Sequence, residues 1–481
     1  MYIKIYLNDL KYRYDVYQMF NIFYTFKELK FVEEDEERDY DVTIAEDKVT
    51  VSNRENSFSY EYEEGYGFKT ELKKGIFKFL EYTLKDEYPW GTLVGIRPSK
   101  IALSLIREGK SEEEIIKYFE DNYLASEEKA KLCIEVAERE ESFVNKDEKL
   151  ISIYVGMPFC PTRCLYCSFA ANPIGGCKKD VEPYLEALNK EISAIRDYVN
   201  ERGLKIETVY FGGGTPTSVD NEQFEKLMKH VYESFVENRE EVKEFTVECG
   251  RPDSITEEKL NSMKRYKVSR ISINPQTMND KTLKSIGRGH LTADVVDKFN
   301  LARSLYFDNI NMDIIIGLPN EDVEEVERTC SLIKELNPDS LTIHGMSIKR
   351  ASRLHENLVL HNSIKIANQK NLNKMYGMSK ELGRNLDMHP YYMYRQKNMV
   401  GNMENVGYSK SEKECIYNIQ MIEDKQTIIA LGADAVSKVV FLDEGKNRIE
   451  RFSNIKDVKE YVKRIDEMVD GKIKLLDTLY K

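Results

Sequence analysis

Three cysteines, Cys160, Cys164 and Cys167, fall four and then three residues apart within Gly156-Met-Pro-Phe-Cys-Pro-Thr-Arg-Cys-Leu-Tyr-Cys-Ser-Phe169. Spacing this close fits one short loop, so three thiolates can converge on a single inorganic centre. A cubic iron–sulfur cluster takes one thiolate per iron. Three thiolates therefore leave one iron open to a small molecule. A structural zinc site needs four ligands, usually as two pairs. Cys177 is the available fourth, but Cys-x3-Cys-x2-Cys-x9-Cys is a poor zinc pattern. Disulfides are disfavoured by the odd number of clustered cysteines and by the absence of any sign of secretion. A second stretch, Gly212-Gly-Gly-Thr215, follows an apolar run. Glycines at a strand's end let backbone approach a ligand without interference from a Cβ.

The elements that must position these residues alternate. Strand candidates are 150–156, 206–211, 243–249, 268–274, 309–316 and 340–346. Helix candidates are 181–201, 220–237, 256–265, 279–286 with 292–306, 321–336 and 364–383. Such alternation argues a parallel sheet with crossover helices. The cysteine loop then sits at a strand's carboxyl end, where sites of α/β barrels lie.

Ahead of this region, 1–64 reads as a small α+β unit: a strand at 1–7, an aromatic segment at 12–26 that is helix or strand, and a hairpin from 41–45 and 48–52. Helical patterns follow at 68–83, 100–107, 111–118 and 126–141, and Ser111 and Ser126 read as helix caps. The loop carrying Trp90 and Arg97 is either a packed connector with an aromatic anchor or a lid. The polar run Asn145-Lys-Asp-Glu-Lys149 marks a boundary. Three segments result: an N-terminal α+β domain at 1–145, a core at 146–350, and a C-terminal α+β region at 351–481 that covers the substrate. In the last, 387–397 is aromatic and basic, 427–440 is apolar, and 458–469 and 472–479 read as helices.

The chain has 481 residues and a formal net charge of −12. An acidic chain is a poor general binder of nucleic acid, because phosphates need clustered Lys and Arg. It does not exclude an anionic substrate in a locally basic pocket. No apolar run approaches membrane-spanning length, and five scattered cysteines fit a reducing cytoplasm.

The motifs together carry a resemblance. Cys-x3-Cys-x2-Cys with Tyr166 before the third cysteine is similar to radical S-adenosylmethionine (SAM) enzymes. Tyr154-x3-Pro158-Phe159-Cys160, Phe211-Gly-Gly-Gly-Thr-Pro-Thr217, Arg270-Ile-Ser-Ile-Asn-Pro-Gln276, Gly287-Arg-Gly-His290 and Asp313-Ile-Ile-Ile-Gly-Leu-Pro319 resemble the oxygen-independent coproporphyrinogen III oxidase family. Pro89-Trp-Gly-Thr-Leu-Val-Gly-Ile-Arg-Pro98 and Tyr394-Arg-Gln-Lys-Asn398 point to its HemZ branch. The resemblance is strong over about 149–440.

That resemblance implies a partial (βα)6 radical SAM barrel, with a [4Fe-4S] cluster on Cys160, Cys164 and Cys167 and one or two SAM molecules. It implies SAM contacts from Tyr154, Tyr166, Gly213, Gly214, Thr215, Glu248, Gln276, Arg288, Asp313 and Ser347. Read alone, Glu248 is a strand-end cap, and Gln276 or Arg288 a structural hydrogen bond. Asp313 lies inside an apolar strand, where an unpartnered charge is costly. A ribose hydroxyl or Arg288 would serve as its partner. His344 is a candidate proton donor, though a lone histidine on a strand is more often a satisfied core residue; His290 and His389 read the same way. A macrocycle with four propionates needs basic edges and greasy faces. Lys349, Arg350 and Arg353, or Tyr391, Tyr392, Tyr394, Arg395 and Lys397, offer that mixture, or form an amphipathic surface.

The implied reaction is reductive cleavage of SAM to a 5′-deoxyadenosyl radical that drives oxidative decarboxylation of two propionates of coproporphyrinogen III, giving protoporphyrinogen IX. The implied setting is an anaerobic cytoplasm, with a monomer served by flavodoxin or ferredoxin. One departure stands out: Phe169 occupies the position of a fourth cysteine in the best-known oxidases. It leaves cluster ligation intact and puts the substrate in question. Two other readings therefore stay open: a radical SAM enzyme acting on heme by methylation or ring opening, and a non-catalytic heme-binding or transfer protein.

Overall fold

Apolar periodicity in the first 84 residues resolves into a five-stranded sheet and two helices. The computed structural model describes residues 2–25, 27–95, 97–167, 171–348, 365–442 and 447–481. Strands β1 (Tyr2–Leu7), β2 (Glu28–Val32), β3 (Tyr40–Ile44), β4 (Lys48–Ser52) and β5 (Ser57–Glu61) lie in the order β2-β1-β3-β4-β5. The ambiguous segment 12–26 contains helix α1 (Arg13–Phe23), because Val16, Met19 and Phe20 recur at helical spacing and are buried. β2 and β5 are edge strands with little buried surface, so no apolar alternation announced them. Helix α2 (Phe68–Leu84) covers this sheet, and their core is separate from that of the rest of the chain.

Helices α3 (Ser99–Arg107), α4 (Glu112–Tyr123) and α5 (Glu127–Glu141) follow. Ser111 closes a capping box with Glu114, and Ser126 accepts from the Lys129 amide. By packing, these helices belong with the second, larger core, into which Trp90 also inserts. Trp90 is 0% exposed and donates through Nε1 to Glu404 at 2.6 Å. Lys129 Nζ reaches the same carboxylate at 2.6 Å. The Trp90 loop is thus an anchored connector, and its far end carries Arg97 to the wall of the main cavity.

Six βα units then follow in sequence. They are β6 (Leu150–Met157) with α6 (Ile174–Arg202), β7 (Lys205–Gly213) with α7 (Asn221–Phe235), and β8 (Glu244–Glu248) with α8 (Glu257–Arg265). Next come β9 (Arg270–Ser272) with α9 (Asp280–Ser285) and α10 (Thr292–Ser304), β10 (Ile310–Ile316) with α11 (Val323–Leu336), and β11 (Ser340–Gly345), after which α12 (Gln369–Asn385) is described. Strands β6 to β11 are neighbours in chain order and all parallel. Consecutive parallel units with crossovers of one hand put every helix on the same face. The other face becomes the interior of a partial barrel.

The C-terminal stretch extends this same sheet at both edges. β12 (His389–Tyr394) and β13 (Asn405–Ser409) add antiparallel strands beyond β11. After α13 (Ile416–Glu423), β14 (Thr427–Leu431) pairs parallel with β6, and β15 (Val436–Phe441) and β16 (Arg448–Ser453) continue antiparallel. The chain closes with α14 (Val458–Lys463) and α15 (Ile465–Leu476), so the break between the terminal helices falls earlier than the pattern at 458–479 suggested. Both helices pack on α6, where the buried Glu191 accepts from Lys472, from Tyr461 at 2.6 Å and from the Gly432 amide at 2.7 Å.

Candidate active site

The cysteine loop leaves β6 and is pinned on both sides by backbone. The Leu165 amide donates to Ile286 O at 3.0 Å, and Thr162 Oγ1 donates to Gly287 O at 2.9 Å. The Gly287-Arg-Gly-His290 turn therefore supports the loop. Across it, Gly214 N donates to Met157 O at 2.6 Å and Thr215 N to Phe159 O at 2.8 Å. A Cβ on Gly214 would stand 2.5 Å from Phe159 O and 2.9 Å from Cys160 Sγ. Gly213 has φ +102°, which an L side chain rarely adopts. The glycine run is thus a cradle whose backbone closes directly on the cysteine loop.

Cys160, Cys164 and Cys167 all line one cavity of about 910 Å³ at the carboxyl ends of the strands. Cys177 does not line it; from α6 it packs on the core, which removes the four-cysteine alternative. Burial pushes the Cys160 thiol up to about 11, against a 3.4 Å bond from Thr215 Oγ1. Among the described residues no three His, Cys, Asp or Glu side chains are drawn into a metal-ligating set. The fit to a cluster rests on donor chemistry: three thiols facing one cavity beside a cradle that excludes side chains.

One neighbour of the loop was missed in the sequence. Arg251, 3% exposed, is held by both Asp253 oxygens at 2.7 and 2.9 Å. Its Nη1 reaches Thr162 Oγ1 at 3.0 Å and Cys164 Sγ at 3.8 Å. In Gly250-Arg251-Pro252 it reads as an ordinary loop arginine. His290 is buried behind this pair, and burial and the Arg288 and Arg251 charges push it down to about 3, so it is neutral.

The polar residues assigned to SAM converge on the same cavity, which Glu248, Gln276, Arg288, Asp313 and Ser347 all line together with His344, the candidate proton donor. So do Tyr154, Tyr166, Gly213, Gly214 and Thr215. Of the two partners offered for Asp313, a ribose hydroxyl or Arg288, Arg288 is bonded elsewhere. Asn311 Nδ2 donates to Asp313 at 2.7 Å and His344 Nε2 stands 3.7 Å away. Burial disfavours the Asp313 carboxylate, but His344 and Asn311 outweigh it and hold it below its usual range. Arg288 instead donates to Gly250 O at 3.0 Å and Tyr166 OH at 3.3 Å, because its turn packs on the cysteine loop and not on β10. Among the buried polar atoms without a partner on residues that line this cavity are Gln276 Oε1, Arg288 Nε, Arg270 Nε and Ser272 Oγ. Orphaned polar atoms beside a glycine cradle fit a polar ligand such as SAM. Ser347 Oγ donates to Lys397 O at 3.1 Å.

Glu248 is the unusual acid. Burial pushes it up to about 7, helped by the nearby Asp313 charge and opposed by a hydrogen bond from the Tyr210 hydroxyl. Tyr210 stacks on Tyr417 at 4.3 Å and lies near-parallel to Tyr154 at 6.1 Å. Tyr392 and Tyr394 are also stacked, at 6.3 Å. Phenol rings from β6, β7, β12 and α13 thus line the cavity, and those of Tyr154 and Tyr210 adjoin the glycine cradle.

The basic residues expected at the substrate edge divide. Lys349, Arg350 and Arg353, like Phe169, lie outside the described residues. Arg395 touches the cavity, but its guanidinium is mostly spent on protein: Leu93 O, Asn402 O at 2.7 Å, Asn402 Oδ1 at 2.6 Å and Met403 O at 3.3 Å. It stacks over Trp90 at 4.8 Å. Four of its five N–H donors thus anchor the Trp90 loop, and one on Nη1 is left beside the cavity.

A cysteine loop and a glycine cradle at the mouth of six parallel βα units define a radical SAM protein, and residues 154–333 match the radical SAM superfamily. The chain is 38% identical over 96% of its length to the oxygen-independent coproporphyrinogen-III oxidase-like protein HemZ of Bacillus subtilis, and covers 95% of that protein. It therefore belongs to the oxygen-independent coproporphyrinogen III oxidase-like family of radical SAM proteins. It is also 29% identical to the heme chaperone HemW of the same organism, over 66% of this chain and 76% of that one. Coproporphyrinogen III oxidase (HemN) from Escherichia coli has the same fold, with a TM-score of 0.52 and 21% identity over 69% of this chain and 72% of that one. Membership implies a [4Fe-4S] cluster and SAM. Among the described residues no helix is long and apolar enough to cross a membrane.

Proposed function

We propose that the protein oxidatively decarboxylates two propionate side chains of coproporphyrinogen III to vinyl groups without oxygen. The observation that carries this reading is the composition of the large cavity at the strand ends. Stacked tyrosines form one stretch of its wall, directly beside the cysteine loop and glycine cradle. A flat macrocycle is the kind of molecule such a wall accepts. The bound cluster and SAM would supply one electron and, from it, a 5′-deoxyadenosyl radical.

The chain's own residues bind, orient and exclude water. Cys160, Cys164 and Cys167 would hold the cluster, and Gly213, Gly214 and Thr215 would lie against the amino-acid end of SAM. Asp313, kept ionised by His344 and Asn311, accepts hydroxyl protons of a ribose. Gln276 Oε1 and Arg288 Nε are open for one further bond each. Tyr154, Tyr210 and Tyr417 would keep bulk water from the reacting carbon. After hydrogen is removed from the propionate carbon β to the carboxylate, one electron passes to an external acceptor, carbon dioxide leaves, and a vinyl group remains.

The test is anaerobic incubation of reconstituted, reduced protein with SAM and coproporphyrinogen III, read by mass spectrometry. Products lacking one and two carboxyl groups, together with 5′-deoxyadenosine, are expected. 5′-Deoxyadenosine with an unchanged porphyrin would move the substrate to heme. Neither product, from protein with a reducible cluster, would refute catalysis and favour a heme-handling role.

A further inference from the structure

The cavity has a second, basic end that the SAM residues do not use. It is formed where the Trp90 loop meets the C-terminal strands, and its side chains are Arg97, Lys438 and Arg451. We infer that this end is a carboxylate-binding subsite that takes a propionate of the substrate. The inference rests on the proposed function and adds to it a location and named residues.

The register makes the case. Lys438 on β15 is directly opposite Arg451 on β16 and, on its other side, opposite Ile428 on β14. Residues directly opposite in antiparallel strands share a face, and like charges in that arrangement repel. Here both cations face the cavity. Arg97 is brought to the same place from the other end of the chain. The one carboxylate among them is Asp424, which accepts from Lys438 at 2.9 Å and pairs with Arg97. Asp434, also on the wall, is matched by Lys456 at 3.6 Å. Arg451 makes no ion pair among the described residues, and the residue directly opposite it is the like-charged Lys438. Three cations thus share one carboxylate at the end of the cavity, with Arg451 exposed at its rim.

The donors also suit a carboxylate. Arg97 spends Nη1 on Asp424 and on Ile422 O at 2.9 Å, and its other nitrogens have no partner among the described residues. A guanidinium with a free edge accepts a carboxylate through two parallel bonds. Beside these charges the wall is apolar, with Ile428 and Ala430 on β14. Charge at the rim and apolar surface within match a propionate on a greasy ring. The carboxylate of SAM has the same chemistry, so the test must separate the two.

Anaerobic titration of coproporphyrin III, its tetramethyl ester and SAM is made against the wild-type full chain and the Arg97→Ala, Arg451→Ala and Arg451→Lys variants. Arg451 is exposed, and circular dichroism with the thermal midpoint controls for folding. The expected result is a Kd for coproporphyrin III about tenfold higher in each alanine variant, the loss of one charge-assisted contact. Arg451→Lys should recover part of the loss, and the ester and SAM should bind all four proteins alike. Unchanged coproporphyrin III binding in both alanine variants would overturn the subsite and leave the proposed function standing. Weakened SAM with unchanged coproporphyrin III would overturn it in favour of a SAM carboxylate. A wild type that binds no coproporphyrin III would overturn both.

Discussion

Replacing Glu248 by Gln should make the protein without SAM more stable at alkaline pH while costing it SAM affinity. Glu248 titrates near 7 in the fold, against an ordinary 4.5, because burial disfavours its charge. Between those values the folded protein keeps a proton that the unfolded chain has released. Stability therefore falls as pH rises from about 4.5 to about 7, and the loss is complete above that window. A displacement of this size corresponds to ~3 kcal/mol, and screening by cavity water reduces it to roughly 2 kcal/mol. Gln keeps the acceptor for the Tyr210 hydroxyl and removes the charge. Urea midpoints of wild type and Glu248→Gln, measured at about pH 5 and about pH 8, isolate the effect, since every other titration is common to both proteins. The variant should gain roughly 2 kcal/mol at the higher pH and little at the lower one. An equal difference at both pH values would refute the reasoning, because it would mean that Glu248 carries no displaced titration. In wild type, SAM affinity should rise with pH through about 7 as the acceptor ionises, and that dependence should vanish in the variant.

Three other outcomes follow from the same contacts. Gly214→Ala places a methyl 2.5 Å from Phe159 O, a backbone atom that cannot yield cheaply, so SAM affinity measured by equilibrium dialysis should fall by about tenfold or more. Cys164→Ala removes one of three thiolates, and iron and sulfide after anaerobic reconstitution should drop to a minor fraction; full retention would sink the cluster assignment. Lys472→Met leaves Glu191 buried without its cation, at a cost of about 3–5 kcal/mol in chemical denaturation.

The core of the fold was legible because its signals are local. β6 to β11 are apolar runs, and a run announces itself whatever it pairs with. The strands from the C-terminal stretch were not legible for the opposite reason. Arg448–Ser453 has the burial of an edge strand, half in water, and shows no clean alternation. Thr427–Leu431 is apolar enough to read as buried, but its partner is β6, far back in the chain. No local pattern encodes that register. The site divides likewise. Cysteine spacing and the glycine run name their own chemistry, whereas Arg251 acquires meaning only when folding sets it against Cys164. Arg395 shows the converse: a basic residue in an aromatic stretch suggests a ligand, and only its bonds to Leu93 and Asn402 reveal that it is also an anchor.

The positions of these residues along the chain separate two jobs. Every side chain assigned to the cluster or to SAM lies between Tyr154 and Ser347, on the ends of the six βα units. The cations of the basic end lie at Arg97, Lys438 and Arg451, outside that span on both sides. Strand pairing joins Lys438 to Arg451, and Arg97 reaches them across a contact that Trp90, Lys129 and Arg395 help to lock through Glu404 and Leu93. On the proposed function, the barrel would keep one radical-generating apparatus while the flanking pieces choose the molecule presented to it. Loosening the lock should therefore raise the Kd for a porphyrin while sparing that for SAM. Glu404→Gln, which keeps an acceptor for Trp90 but leaves Lys129 uncompensated, tests this directly. Equal weakening of both ligands would mean that the flanks hold the barrel together and do not select the substrate.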